Sequence, residues 1–224
     1  DIETAIKLKR DFPEAYNNLA VIYYRNQKPE KAVEVLLDCL VNCPVNPENT
    51  FANLVNLTSK TVILTITPCD AGGRTLLVRA PGFDQNYRTQ IKAALKEYPG
   101  QLLLLAEYLA THANGIDAKG LLDEVTPDGQ PGLYYYVLFH IHKLFGELDQ
   151  MKAAAAKVID AADSDYRRLF ECGYVLFHSG EFEMAGSIYE ASLKKVNPAD
   201  DLYLLKIYSN LGTSYYMSKD YRKA

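Results

Sequence analysis

The 224-residue chain has no tryptophan, three methionines and four cysteines, and no stretch approaches the roughly 18 consecutive apolar residues of a membrane span. Direct membrane insertion is therefore not expected. A dominant charge is lacking too: 24 basic against 28 acidic residues leave a formal net charge of -4, too weak a field to gather nucleic acid. The cysteines, Cys39, Cys43, Cys69 and Cys172, show no CxxC spacing and are too sparse for a disulfide scaffold. They read as reduced thiols packed as small hydrophobes, which points to the cytoplasm. Cys39 and Cys43 would share a helix face, yet no histidine or second pair stands near them to complete a metal site.

Signatures of catalysis are missing as well. His112, His140, His142 and His178 do not form HExxH, and the two-residue step from His140 to His142 turns those rings to different helix faces. The DAGGRT stretch lacks the Lys-Ser/Thr ending of a phosphate-binding loop, and neither GxSxG nor a dinucleotide fingerprint occurs. No catalytic, cofactor-binding or metal-binding residue is expected, and the chain is read as a non-enzyme.

What the chain does have is tyrosine, 17 residues of it, and a short pattern written three times. LFGELDQM (144–151), HSGEFEMA (178–185) and MSKDYRKA (217–224) share one layout, and Gly146 and Gly180 stand 34 residues apart. The third copy follows 39 residues after the second, so one helix or connection is longer by about a turn. In PEAYNNLAVIYYRNQKPEKAVEVLLDCLVNCP (13–44), Tyr16, Leu19 and Tyr23 recur at helical steps along one face. Ala20 is small where a neighbouring backbone must approach. After the polar turn, Ala32, Leu36 and Cys39 line a facing helix that Pro44 ends.

These positions resemble the tetratricopeptide repeat, a family of paired antiparallel helices. The same register falls on Leu169, Cys172, Gly173, Leu176, Ala185, Tyr189 and Ser192, and again on Tyr208, Leu211, Gly212, Tyr215 and Ala224. A weaker unit has Phe139 where a small residue is usual and Met151 where alanine is usual, which suggests a wider gap between its helices. The resemblance implies an all-α, right-handed superhelical solenoid. Residues 1–60 are expected to hold a partial repeat, a full repeat and the first helix of another, 87–130 degenerate helical repeats, and 131–224 three repeats with the last truncated. Both ends fall inside repeats, so the chain is expected to be part of a longer array. Residues 61–86 break the pattern. TVILTITPCDAGGRTLLVRAPGFD is rich in β-branched residues around a Pro and Gly cluster, which predicts either a β-hairpin, with strand confined to about Thr61 to Val78, or an irregular connection.

The family geometry places first helices on a concave face. That implies a partner-binding groove of Asn17, Tyr24, Tyr136, His140, Lys143, Arg167, Phe170, Tyr174, Phe177, Lys206, Asn210 and Tyr216; the aromatics among them either meet a partner or pack between repeats. Lys206 and Asn210 resemble part of the clamp with which some members hold an acidic C-terminus, but Phe170 and Tyr174 stand where the rest of it belongs. The implied function is a protein-protein interaction module that scaffolds a complex by holding a protein or peptide segment, as in intracellular transport. The alternative is the regulatory or substrate-recruiting repeat domain of a larger enzyme, and self-association through open repeat ends is a third route to partners.

Overall fold

Four helices open on a proline, Pro13, Pro29, Pro99 and Pro131, at the position where the missing N–H has no intrahelical partner to lose and the fixed φ suits the first turn. The computed structural model describes residues 2–43, 47–66, 76–83 and 85–223. The chain packs as two compact units, Asp1–Val125 and Thr126–Ala224, each built from antiparallel helix pairs.

The first unit runs α1 (Ile2–Leu8), α2 (Pro13–Arg25), α3 (Pro29–Asn42), α4 (Glu48–Thr58), β1 (Ser59–Ile66), β2 (Leu76–Phe83), α5 (Gln85–Leu95), α6 (Pro99–Thr111) and α7 (Gly115–Leu122). Helices α2 and α3 form its best-registered pair, with Ala20, Ala32, Leu36 and Cys39 all shut away from solvent. The paired small residues let the backbones approach, and the large ones fill the space between. Pro44, Cys69 and the DAGGRT stretch lie outside the described residues. The second unit runs α8 (Pro131–Phe145), α9 (Leu148–Asp160), α10 (Tyr166–His178), α11 (Phe182–Lys195) and α12 (Asp201–Met217). Within it α8 pairs with α9, α10 pairs with α11, and α10 also touches the first helices on either side, α8 and α12.

The insertion is a two-stranded antiparallel hairpin whose register runs from Ser59↔Phe83 to Ile66↔Leu76, and β2 lies against α4 and α7. Its second strand continues five residues past Val78, through Pro81 and Gly82. Its first strand begins at Ser59, two residues before the expected Thr61, and strand propensity falls at Pro81 and Gly82 because neither favours a sheet interior. A two-stranded ribbon has no interior strand: each strand keeps one edge unpaired, and a proline's missing donor is tolerated there.

The weak pair α8–α9 keeps its core by another distribution of volume. Phe139 is fully buried where a small residue is usual, and Met151 is buried where alanine is usual. The small side chains sit instead at Ala154 and Ala155 of α9, both buried. The extra turn in the last repeat lies within a helix, since α12 has 17 residues against 13 in α10.

Among the described residues, four helix pairs turn through one residue in the left-handed backbone region, and a fifth such residue follows α12. Gly146 (φ 72), Gly180 (φ 82) and Lys219 (φ 64) occupy the matching place in the three sequence copies, and Gln27 (φ 58) and Ala113 (φ 64) do the same in the first unit. Ala113 and Gly146 are 33 residues apart, which puts the α6–α7 pair in register with the repeats after it. A side chain in this region costs about 1–2 kcal/mol. Glycine avoids that but loses about 0.5–1 kcal/mol of unfolded-state entropy. Ala113→Gly and Lys219→Gly should therefore each stabilise by about 0.5–1 kcal/mol, and Gly146→Ala should destabilise by a similar amount. Thermal melts followed by far-ultraviolet circular dichroism test this. A drop in midpoint for both glycine variants would contradict it.

Candidate partner-binding surface

Aromatic rings join α10 to α12 along a continuous line of contacts in the second unit. Tyr166 meets Tyr203 edge-on at 5.3 Å, Tyr203 meets Phe170 edge-on at 5.6 Å, and Phe170 stacks towards Tyr174 at 6.5 Å. Tyr174 in turn meets His178 at 4.3 Å. The helical spacing produces this line: Phe170, Tyr174 and His178 recur at i, i+4 and i+8, the flank of α10 beside its buried Leu169, Cys172 and Leu176. Tyr174 is 48% exposed, whereas Phe170 is half-buried because Tyr189 of α11 packs beneath it at 5.6 Å. Such rings offer wide apolar faces at low conformational cost, and tyrosine adds a polar tip.

Two cations edge the line. The Arg167 guanidinium lies 5.5 Å from the centres of both Tyr166 and Tyr203, and the Lys206 ammonium lies 5.1 Å from Tyr203. Both are exposed, and Arg167 approaches the Asp200 carboxylate only to 3.8 Å. Asp200 is engaged elsewhere: it caps α12 by accepting from the Tyr203 amide, and the Tyr166 hydroxyl donates to it at 2.7 Å. The Tyr166 hydroxyl, followed by the Tyr203 amide, holds that carboxyl below the usual carboxylate range.

The expected groove residues fall into different environments. Tyr136 and His140 are each 3% exposed, so they form floor rather than surface. The Tyr136 hydroxyl donates to the Glu171 carboxylate, and His140 Nε2 lies 3.7 Å from the same group. Burial pushes the His140 imidazole down to about 4 against the opposing pull of Glu171, so the ring is neutral at pH 7. Phe177 is half-buried against Phe182 at 5.2 Å, at the turn into α11. Lys143 is exposed and borders a shallow depression of about 250 Å³ with His142, Glu147, Leu148, Met151 and Ser179. Asn210 is half-buried, and Tyr216 is 63% exposed with its ring against Tyr221.

Two expected groove residues belong to the first unit. Tyr24 is 52% exposed on α2. Asn17 is partly buried and spans α2 to α4: its amide donates to the Thr50 hydroxyl at 3.1 Å and accepts from Asn53 at 2.8 Å. Thr50 then meets Cys39 Sγ at 3.4 Å. Cys39, Cys43 and Cys172 are free and buried, and burial pushes the Cys39 thiol up to about 12.

Tyr203, Tyr166 and Glu171 are absent from the expected groove. Tyr203 sits on the extra first turn of α12, ahead of the repeat pattern, so registering the copies by their shared positions passes over it. The available signal was Asp200, a capping residue that sets the helix start one turn earlier than the pattern does.

No family model matches the chain, and no curated protein matches it. Among solved structures the chain is similar to the crystal structure of the P58(IPK) TPR domain, with 16% sequence identity and a TM-score of 0.41. The match covers 100% of this chain and 51% of that one, so the chain spans about half the length of that structure.

Proposed function

We propose that residues 131–224 hold a partner polypeptide on the aromatic line of α10 and α12, as an interaction module within a larger assembly. The observation that carries this reading is the half-exposed Tyr174 set in line with Phe170 and Tyr203 and edged by Arg167 and Lys206. Exposed aromatics in a connected row supply anchor energy, while rim cations steer an approaching chain. The segment that suits this surface is helical or extended, apolar at its anchors and mildly acidic at its edge. Tyr136, His140 and Glu171 hold the neighbouring α8–α10 contact.

The test is a binding series against a partner isolated with the intact chain. Tyr174→Ala should weaken binding by at least about 2 kcal/mol, roughly thirtyfold, with the melting temperature nearly unchanged. Lys206→Ala should slow association at low salt and matter little at high salt. Unchanged affinity in Tyr174→Ala, or a larger loss in Lys206→Ala at high salt, would show that this line is not the binding surface.

A further inference from the structure

The first unit contains a second concave feature, remote in sequence from the aromatic line and opposite in charge. A depression of about 200 Å³ opens where α1, α2 and α3 meet, lined by Ile6, Tyr16, Leu19 and Val35 with Glu3, Lys7 and Asp38. The apolar members come from all three helices. Tyr16 is 5% exposed, packed with Cys39 and Cys43, so it is a rigid wall of the depression rather than a mobile surface ring.

Two polar groups here are open to a ligand. Among the described residues no side-chain donor reaches the exposed Asp38 carboxylate, and no side chain engages the Tyr16 hydroxyl, whose ring is otherwise buried. Burial, and then the neighbouring Glu34 one helical turn away, raises the Asp38 carboxyl above its usual range. The positive charge of an approaching cation opposes both, because it favours the ionised carboxylate and offsets the repulsion from Glu34. Glu3 adds a third carboxylate and accepts from the Tyr23 hydroxyl at 2.9 Å. Lys7 is the one lining cation, so the carboxylates outnumber it.

We propose that this depression is a binding site for an arginine side chain of a partner protein. The aliphatic stem would lie on Ile6, Leu19 and Val35, and the guanidinium would meet the Asp38 carboxylate with the Tyr16 ring and hydroxyl beside it. Arginine suits the place better than lysine for two reasons. Its planar fork pairs with a carboxylate through two parallel hydrogen bonds, and its weaker hydration lowers the cost of leaving water for a half-enclosed apolar site. The site is independent of the aromatic line, so either can fail without the other.

The experiment titrates the full chain with acetyl-arginine amide, acetyl-lysine amide and acetyl-norleucine amide while recording the methyl resonances of Ile6, Leu19 and Val35. Acetyl-arginine amide should give saturating shifts with an affinity severalfold above the lysine probe, and the norleucine probe should give none that saturate. Asp38→Asn should weaken the arginine probe about tenfold, in keeping with loss of a charge-assisted hydrogen bond. Glu34→Gln should weaken it less, and Lys7→Ala should strengthen it. Both acidic residues are exposed, so the variants should keep the fold, which unchanged resonances elsewhere would verify. Equal shifts with norleucine would overturn the proposal in favour of a merely apolar pocket. Undiminished binding in Asp38→Asn, or no saturation with the arginine probe, would overturn it outright.

Discussion

Tyr189→Ala should destabilise the second unit by about 3–5 kcal/mol, whereas Tyr189→Phe should leave it unchanged or stabilise it by up to about 1 kcal/mol. The two outcomes separate the ring from its hydroxyl. The ring is fully buried between α10 and α11, so removing it opens a cavity the size of a large side chain. The hydroxyl is buried too, and among the described residues no partner reaches it. Removing an unsatisfied buried donor relieves a desolvation penalty. The same ring explains Gly173. A Cβ at that position would come within 2.8 Å of the Tyr189 ring, closer than van der Waals contact permits. With the ring fully buried, it has little room to give way, and Gly173→Ala should cost about 1–3 kcal/mol. In a Tyr189→Leu background the contacts at Cε1 and Cζ are gone and the remaining Cδ atoms belong to a smaller side chain with room to turn, so the alanine should then cost clearly less than it does beside tyrosine. Urea unfolding followed by circular dichroism measures all of these. If Gly173→Ala costs the same in both backgrounds, the ring contact is not what requires glycine.

The Gly173–Tyr189 pair also shows how a repeat pattern becomes legible. A small residue in one helix and a large one in its partner, recurring at helical spacing, is a packing constraint written in volumes, and Ala20 with Leu36 says the same in the first unit. The α8–α9 pair buries Phe139 and Met151 where small residues are usual, and buries small residues at Ala154 and Ala155, so a position-by-position comparison sees only a departure. The turn residues hide differently. Gly146 and Gly180 announce the left-handed backbone, whereas Gln27, Ala113 and Lys219 adopt it without the residue that signals it. The candidate surface was legible in its α10 part, where Arg167, Phe170 and Tyr174 follow helical spacing. It was less so elsewhere, because periodicity identifies a helix face but not how deep a neighbouring helix covers it. Tyr136 and His140, expected at the surface of a groove, are buried beside Glu171 of α10.

Asp117→Ala should cost the first unit about 3–5 kcal/mol, more than any surface ion pair supplies. Asp117 sits in the first turn of α7, where the unpaired backbone amides favour a negative charge, and it is 1% exposed. Arg88 of α5 donates to one of its oxygens, and the Asn114 amide donates to the other at 2.9 Å. Asn114 is itself buried, and its side-chain oxygen accepts from the Asp117 backbone amide, so one carboxylate organises both the helix start and a contact between α5 and α7. Removing it takes away the acceptor of both the Arg88 guanidinium and the Asn114 amide. Arg88→Met should cost less than Asp117→Ala but more than an ordinary surface substitution, because it removes a guanidinium that donates to a carboxylate 1% exposed. The double variant Arg88→Met, Asp117→Leu should cost less than the sum of the two, since it replaces both charges with apolar volume and leaves neither unpaired. The measurement is a double-mutant cycle by urea unfolding, with a coupling of about 1.5–3 kcal/mol expected. Simple additivity would mean that Arg88 and Asp117 stabilise the fold separately, and that α5 is held in the unit by the burial of Ile91 and Leu95 against α3 and α6 rather than by this pair.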